Sequence, residues 1–131
     1  DDSNARFFGG VAGHAGLFSS AADLAKYVAF WLKQIASKQS LFTQAIVCQT
    51  QGLDDKRGLG WTLTHSSQSF FDDFSGQSFG HSGFTGTSLA IDPKTKMGIV
   101  FLTNRVYNGA NVSFVDFRQK MHRLIWESFG Q

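Results

Sequence analysis

The chain has 131 residues, 42% of them hydrophobic, which is enough for a single domain with its own core. Twelve Lys plus Arg against ten Asp plus Glu leave a net charge of +2. The basic residues are scattered, not drawn into a stripe, so nucleic acid is a poor partner, and no apolar run reaches the roughly 18 residues of a membrane span.

Residues 1–18 read as a loop. Gly9, Gly10, Gly13 and Gly16 stud a segment of small residues that lacks the Lys-Ser/Thr ending of a phosphate loop, so nucleotide binding is rejected. Close backbone packing or a ligand-contacting rim both account for these glycines, and His14 falls under the same alternatives. Helices are expected over 20–50. Ser20 and Asp23 form a capping pair, and Leu24, Tyr27, Val28, Trp31, Leu32 and Ile35 recur at helical spacing to about residue 35. Leu41 to Gln49 reads as a second short helix with Leu41, Phe42, Ile46 and Val47 turned inward.

From Gly52 the pattern becomes extended, and a sheet is expected over 58–104. Leu59, Trp61 and Leu63 alternate as in a half-buried strand near 58–64. A Ser-rich loop from His65 to Gln77 carries Phe70, Phe71 and Phe74, which either pack as a satellite cluster or line a site. Strands follow near 78–83, 87–92 and 97–104, the last two joined antiparallel by an Asp92-Pro93 turn. The continuously apolar Gly98 to Leu102 suggests a central strand covered on both faces. A C-terminal helix over 113–129 would be capped by Ser113 and Asp116 and bury Phe114, Phe117, Met121, Leu124, Ile125 and Ser128. Antiparallel strands between terminal helices make an α+β domain spanning 1–131.

The chemistry-bearing stretch is Phe79-Gly80-His81-Ser82-Gly83-Phe84-Thr85-Gly86. His81 and Ser82, as strand neighbours, should face opposite sides, and Gly83 and Gly86 frame a turn. The four histidines His14, His65, His81 and His122 include no helical i, i+4 pair and no accompanying carboxylate cluster. The lone Cys48 excludes a thiolate metal cluster, so neither metal nor cofactor is expected. His122 reads as a surface or partly packed residue.

Gly13 to Tyr27, Gly58-Leu59-Gly60-Trp61, Phe79 to Gly86 and Leu102-Thr103-Asn104-Arg105, in that order, resemble the serine β-lactamase and penicillin-binding-protein-like hydrolases, closest to the class C and esterase-like branch. The resemblance covers essentially the whole chain and only the back half of that fold. It implies a β-lactamase/transpeptidase-like architecture, C-terminal portion only. In that family a serine in S-x-x-K attacks a carbonyl to form an acyl-enzyme, a Tyr- or Ser-x-Asn element assists proton transfer, and a K-T-G-like strand closes the site. By the resemblance His81, Ser82, Gly83 and Phe84 stand on the catalytic strand and turn, with the Phe84 N–H as one oxyanion-hole donor. Thr85, Gly86, Asn104 and Arg105 then fall to the substrate side.

The departures bear on activity. No serine stands three residues before any lysine, and Tyr27 and Tyr107 lead to Ala29 and Gly109, not Asn. Nucleophile, lysine and tyrosine base are therefore expected upstream, in the missing N-terminal half of the same protein, and this chain alone should be inactive. His81 stands where lactamases carry a lysine, which favours small-molecule or peptide substrates without an obligatory carboxylate, such as esters or amides. Asn108 stands near the place where relatives carry a proline. The resemblance implies a periplasmic or cell-envelope setting. An apolar face where the missing half docks would make the isolated chain self-associate. Two other readings fit the same residues: a non-catalytic binding or scaffold domain using the His81 wall and the Phe-rich loop as a peptide or glycan groove, and a regulatory fragment that joins a larger partner.

Overall fold

A computed structural model of the chain describes residues 2–37, 57–109 and 113–130. The expected helix over 41–49 lies outside them. The elements are helix α1 (Ser3–Phe7), helix α2 (Ala21–Ala36), strands β1 (Arg57–Gly58), β2 (Trp61–Leu63), β3 (Phe79–Ser82), β4 (Ser88–Asp92) and β5 (Met97–Phe101), a 3-10 turn (Arg105–Asn108) and helix α3 (Val115–Phe129). The strands form one antiparallel sheet in the order β1-β2-β3-β4-β5.

Helix α2 starts where its chemistry dictates. Ser20 Oγ accepts from the Asp23 N–H at 3.2 Å and donates to the Asp23 carboxylate at 3.0 Å, a reciprocal cap. Its apolar stripe delivers Val28 and Trp31 to one face of the sheet, where they pack with Trp61, Phe79 and Ile91. The Trp31, Trp61 and Phe79 rings meet edge to face, with centroids 4.9 to 6.0 Å apart. The other face carries Ala90 and Ile99 against Phe70, Phe71 and Phe74, with Ile125 and Trp126 of α3 closing the cluster. Strand alternation explains the division: Phe79 and Ile91 point toward α2, while Gly80 and Ala90 face α3. Gly80 is required there, because a Cβ would sit 2.4 Å from the Leu89 carbonyl and 2.8 Å from the Phe71 ring.

The loop of three phenylalanines packs and does not form a lid. Phe70, Phe71 and Phe74 are buried, and buried Asp92 fixes the loop by accepting from the Ser75 hydroxyl at 2.7 Å and the Ser75 N–H at 3.1 Å. The same carboxylate accepts from the Lys94 N–H at 2.8 Å, which closes the β4–β5 turn.

Several expectations need correction. Within 1–18, Asp2 caps the short helix α1 by accepting from the Ala5 N–H at 2.8 Å. The strand expected over 58–64 is two strands, since Leu59 and Gly60 form the turn between β1 and β2 and Leu59 is exposed. β5 ends at Phe101 and is the outermost of the five described strands, not a central one. Its apolar run reflects cover on both faces: Val100 joins the α2-side cluster and Ile99 the α3-side cluster. Ser113 does not cap α3; the residue before the helix is Phe114, with no side-chain cap, and Asp116 lies in the first turn. The buried face of α3 is rotated from the expected one. Arg118 and His122 are buried, Phe114, Met121, Ile125 and Trp126 are half-buried, and Phe117, Leu124 and Ser128 are exposed.

Candidate active site

Strand β3 ends in a tight hairpin to β4. The Gly83 N–H donates to the Thr87 carbonyl at 2.7 Å, and the Gly86 N–H donates to the Gly83 carbonyl at 3.0 Å, so Gly83–Gly86 is a four-residue turn with Phe84 and Thr85 at its centre. Gly86 has φ +101°, and a Cβ on it would lie 2.5 Å from the Thr103 hydroxyl. The N–H groups at the centre of such a turn are not used by the turn itself. Neither the Phe84 nor the Thr85 N–H finds a partner among the described residues. Phe84 itself is 61% exposed.

The two residues before the turn part company, as strand neighbours must. His81 lies opposite Leu89 on the α2 side and is exposed, with its Nδ1 2.9 Å from the Ser82 carbonyl. Ser82 lies opposite Ser88 on the α3 side. Ser82, Gly83, Phe84, Arg105, Ser113, Phe114, Val115 and Arg118 line an open cavity of about 300 Å³ at the start of α3. His81, Thr85, Gly86 and Asn104 are outside that lining. Asn104 is exposed and leads into the 3-10 turn, its carbonyl accepting from the Tyr107 N–H at 3.3 Å. Arg105 lies against the turn: its Nε donates to the Phe84 carbonyl, its backbone N–H donates to the Thr85 carbonyl at 2.8 Å, and its guanidinium stands 4.4 Å from the Phe84 ring centroid.

Two groups behind the strand were not foreseen. Arg118, only 8% exposed, donates from Nη2 to the Gly83 carbonyl at 3.3 Å, and its guanidinium lies 5.6 and 5.7 Å from the Phe70 and Phe114 ring centroids. Burial, and then the Arg105 charge, hold its proton affinity below the ordinary guanidinium value. His122 is fully buried, against the expectation of a surface or partly packed residue, and its Nε2 is 2.8 Å from the Ser88 hydroxyl. The Phe70, Phe74 and Phe101 rings surround it. Burial first, and then Arg118, push the imidazole down to about 4, so it is neutral at pH 7 and accepts or donates without charge. The available signal was the i, i+4 step from Phe114 to Arg118 to His122, a polar pair inside an apolar stripe. Among the described residues no group of three His, Cys, Asp or Glu is gathered for a metal ion.

The family model described as Beta-lactamase matches residues 1–119. The chain is 38% identical over 107 residues to a protein named putative D-alanyl-D-alanine carboxypeptidase of Salmonella gallinarum (strain 287/91 / NCTC 13346), a stretch that covers 76% of this chain and 25% of that protein. It is 37% identical over 103 residues to the N-acetylmuramyl-L-alanine amidase of Bacillus subtilis (strain 168), covering 73% of this chain and 23% of the relative. The chain thus spans about a quarter of the length of these relatives. The crystal structure of a beta-lactamase from Mycobacterium bovis superposes with a TM-score of 0.71 at 23% identity, over 86% of this chain and 45% of the other, which shows a shared fold. With the family match running through the whole described sheet and into the first turn of α3, the chain belongs to the beta-lactamase family of hydrolases.

Proposed function

We propose that this chain is the C-terminal portion of a β-lactamase-related serine hydrolase that works through an acyl-enzyme on a β-lactam, an ester or a D-amino-acid peptide, with its nucleophile upstream. The observation that carries this reading is the turn after β3, in which exposed Phe84, two residues beyond the end of the strand, has an N–H with no partner among the described residues. A peptide N–H held this way is suited to a developing oxyanion, and one such donor contributes about 3 kcal/mol to lowering a barrier. The second donor would be the nucleophile's own N–H, so half the hole lies outside this chain. His81, Ser82, Gly83 and Phe84 take the catalytic wall and turn, while Thr85, Gly86, Asn104 and Arg105 form the substrate-side rim. The carboxypeptidase and amidase among the relatives favour an amide bond of a cell-wall peptide, and with it a periplasmic or envelope setting. The alternative of a Phe-rich binding groove loses support, because those phenylalanines are packed inside.

Labelling tests the assignment. The isolated chain should take up no fluorescent penicillin or fluorophosphonate, whereas the protein extended upstream should be labelled at a serine outside this chain; a covalent adduct within residues 1–131 would overturn it. In the extended protein, His81→Ala should lower turnover and leave acylation detectable. Unchanged kinetics would remove His81 from the site.

A further inference from the structure

Three successive carbonyls of the turn are taken by two arginines. The Gly83 carbonyl accepts from Arg118 Nη2 at 3.3 Å, the Phe84 carbonyl from Arg105 Nε, and the Thr85 carbonyl from the Arg105 backbone N–H at 2.8 Å. Each guanidinium is itself held against aromatic rings, Arg105 on Phe84 and Arg118 beside Phe70 and Phe114. A peptide unit is planar, and none here is cis, so a carbonyl and the N–H that follows it point in opposite directions. Fixing the Gly83 carbonyl toward α3 therefore aims the Phe84 N–H away from α3. The same argument carries from the Phe84 carbonyl to the Thr85 N–H.

We infer that Arg118 and Arg105 are positioning residues that clamp the carbonyl side of the Gly83–Gly86 turn, so that its free N–H groups face the His81 side of the sheet. The placement of Arg118 is otherwise expensive. Its guanidinium is buried beside a second positive charge, and its Nε has no partner among the described residues. A structural cation would be expected to find a carboxylate, and Arg118 is bonded to none among the described residues. What it holds instead is the carbonyl of the peptide that bears the proposed oxyanion donor. The catalytic consequence rests on the acyl-transfer reading above; the orientation of the turn does not.

Two measurements on Arg118→Gln, Arg118→Lys and Arg105→Gln separate these parts. In this chain, amide NMR should show the Phe84 and Thr85 resonances displaced in Arg118→Gln and Arg105→Gln and partly restored in Arg118→Lys, while the Phe79 and Ile91 amides stay in place. Unmoved Phe84 and Thr85 resonances would overturn the inference. In the protein extended upstream, acylation should slow by about tenfold or more in Arg118→Gln, with KM within about twofold, and inhibition by a tetrahedral phosphonate should weaken by the same factor as the rate; in Arg105→Gln, on the substrate-side rim, rate and phosphonate affinity should fall together whatever KM does. A wild-type protein that never acylates sinks the functional reading and leaves the NMR result to decide the clamp. A wild-type protein that acylates, with variants matching it in rate and phosphonate affinity, overturns the clamp alone. Should Arg118→Gln fail to fold, Arg105→Gln, away from the core clusters, carries both measurements.

Discussion

Replacing His122 by glutamine tests whether a neutral imidazole is built into the α3 side of the sheet. The ring is fully buried against Phe70, Phe74 and Phe101, and its ordinary pKa of 6.5 is pushed down to about 4. Because the folded value lies below the unfolded one, the unfolded chain takes up a proton that the folded chain refuses. The stability this group contributes is complete above pH 6.5, drains as pH falls toward 4 and is gone below it. At about 1.36 kcal/mol per pH decade, the full loss is about 3 kcal/mol, of which about 2 kcal/mol falls between roughly pH 7 and pH 5. Glutamine keeps a hydrogen-bonding group for Ser88 and does not titrate, but it gives up the ring packing. The variant should therefore be about 1–2 kcal/mol less stable than wild type at pH 7, and that deficit should vanish or reverse by about pH 5. Urea unfolding followed by tryptophan fluorescence at the two pH values reads the difference directly. A deficit of equal size at both, or a His122 NMR titration centred near 6.5, would refute the reasoning.

Two further substitutions probe the frame that presents the turn. Asp92→Ala removes a buried carboxylate that accepts from Ser75 and Lys94, and should cost about 3 kcal/mol; the 65–77 loop should also become the first site of limited proteolysis, and a cutting pattern identical to wild type would count against its role as the fastening. Phe79→Ala empties a fully buried site between Trp31 and Trp61 and should cost about 4 kcal/mol in chemical unfolding, against about 1 kcal/mol for Phe79→Leu, so equal losses would show that the site collapses around either residue.

Local chemistry made some elements readable from the sequence and hid others. Ser20, Asp23 and the apolar spacing from Leu24 to Ile35 mark α2, and the observed helix runs from Ala21 to Ala36. The Asp92-Pro93 turn pairs β4 with β5 as expected. The buried face of α3 was not readable, because its sequence holds two apolar stripes of similar strength. What selects the stripe with Arg118 and His122 is supplied from far along the chain: the Ser88 hydroxyl, the Gly83 carbonyl and the rings of Phe70 and Phe74. The same remoteness explains the site. His81 to Gly86 announce a turn through their own glycines, whereas Arg118 joins that turn from 35 residues away.

Consecutive residues of β4 serve different interiors: Ala90 is walled in by the phenylalanines and α3, Ile91 by the tryptophans and α2. A slip of one position would exchange them, wedging an isoleucine where Phe71 leaves room for a methyl group and drawing the Asp92 carboxylate toward the indoles. Mispairing is thereby penalised on both sides at once. The hairpin can close at only one offset, and the donors at its tip arrive at a single height above the sheet.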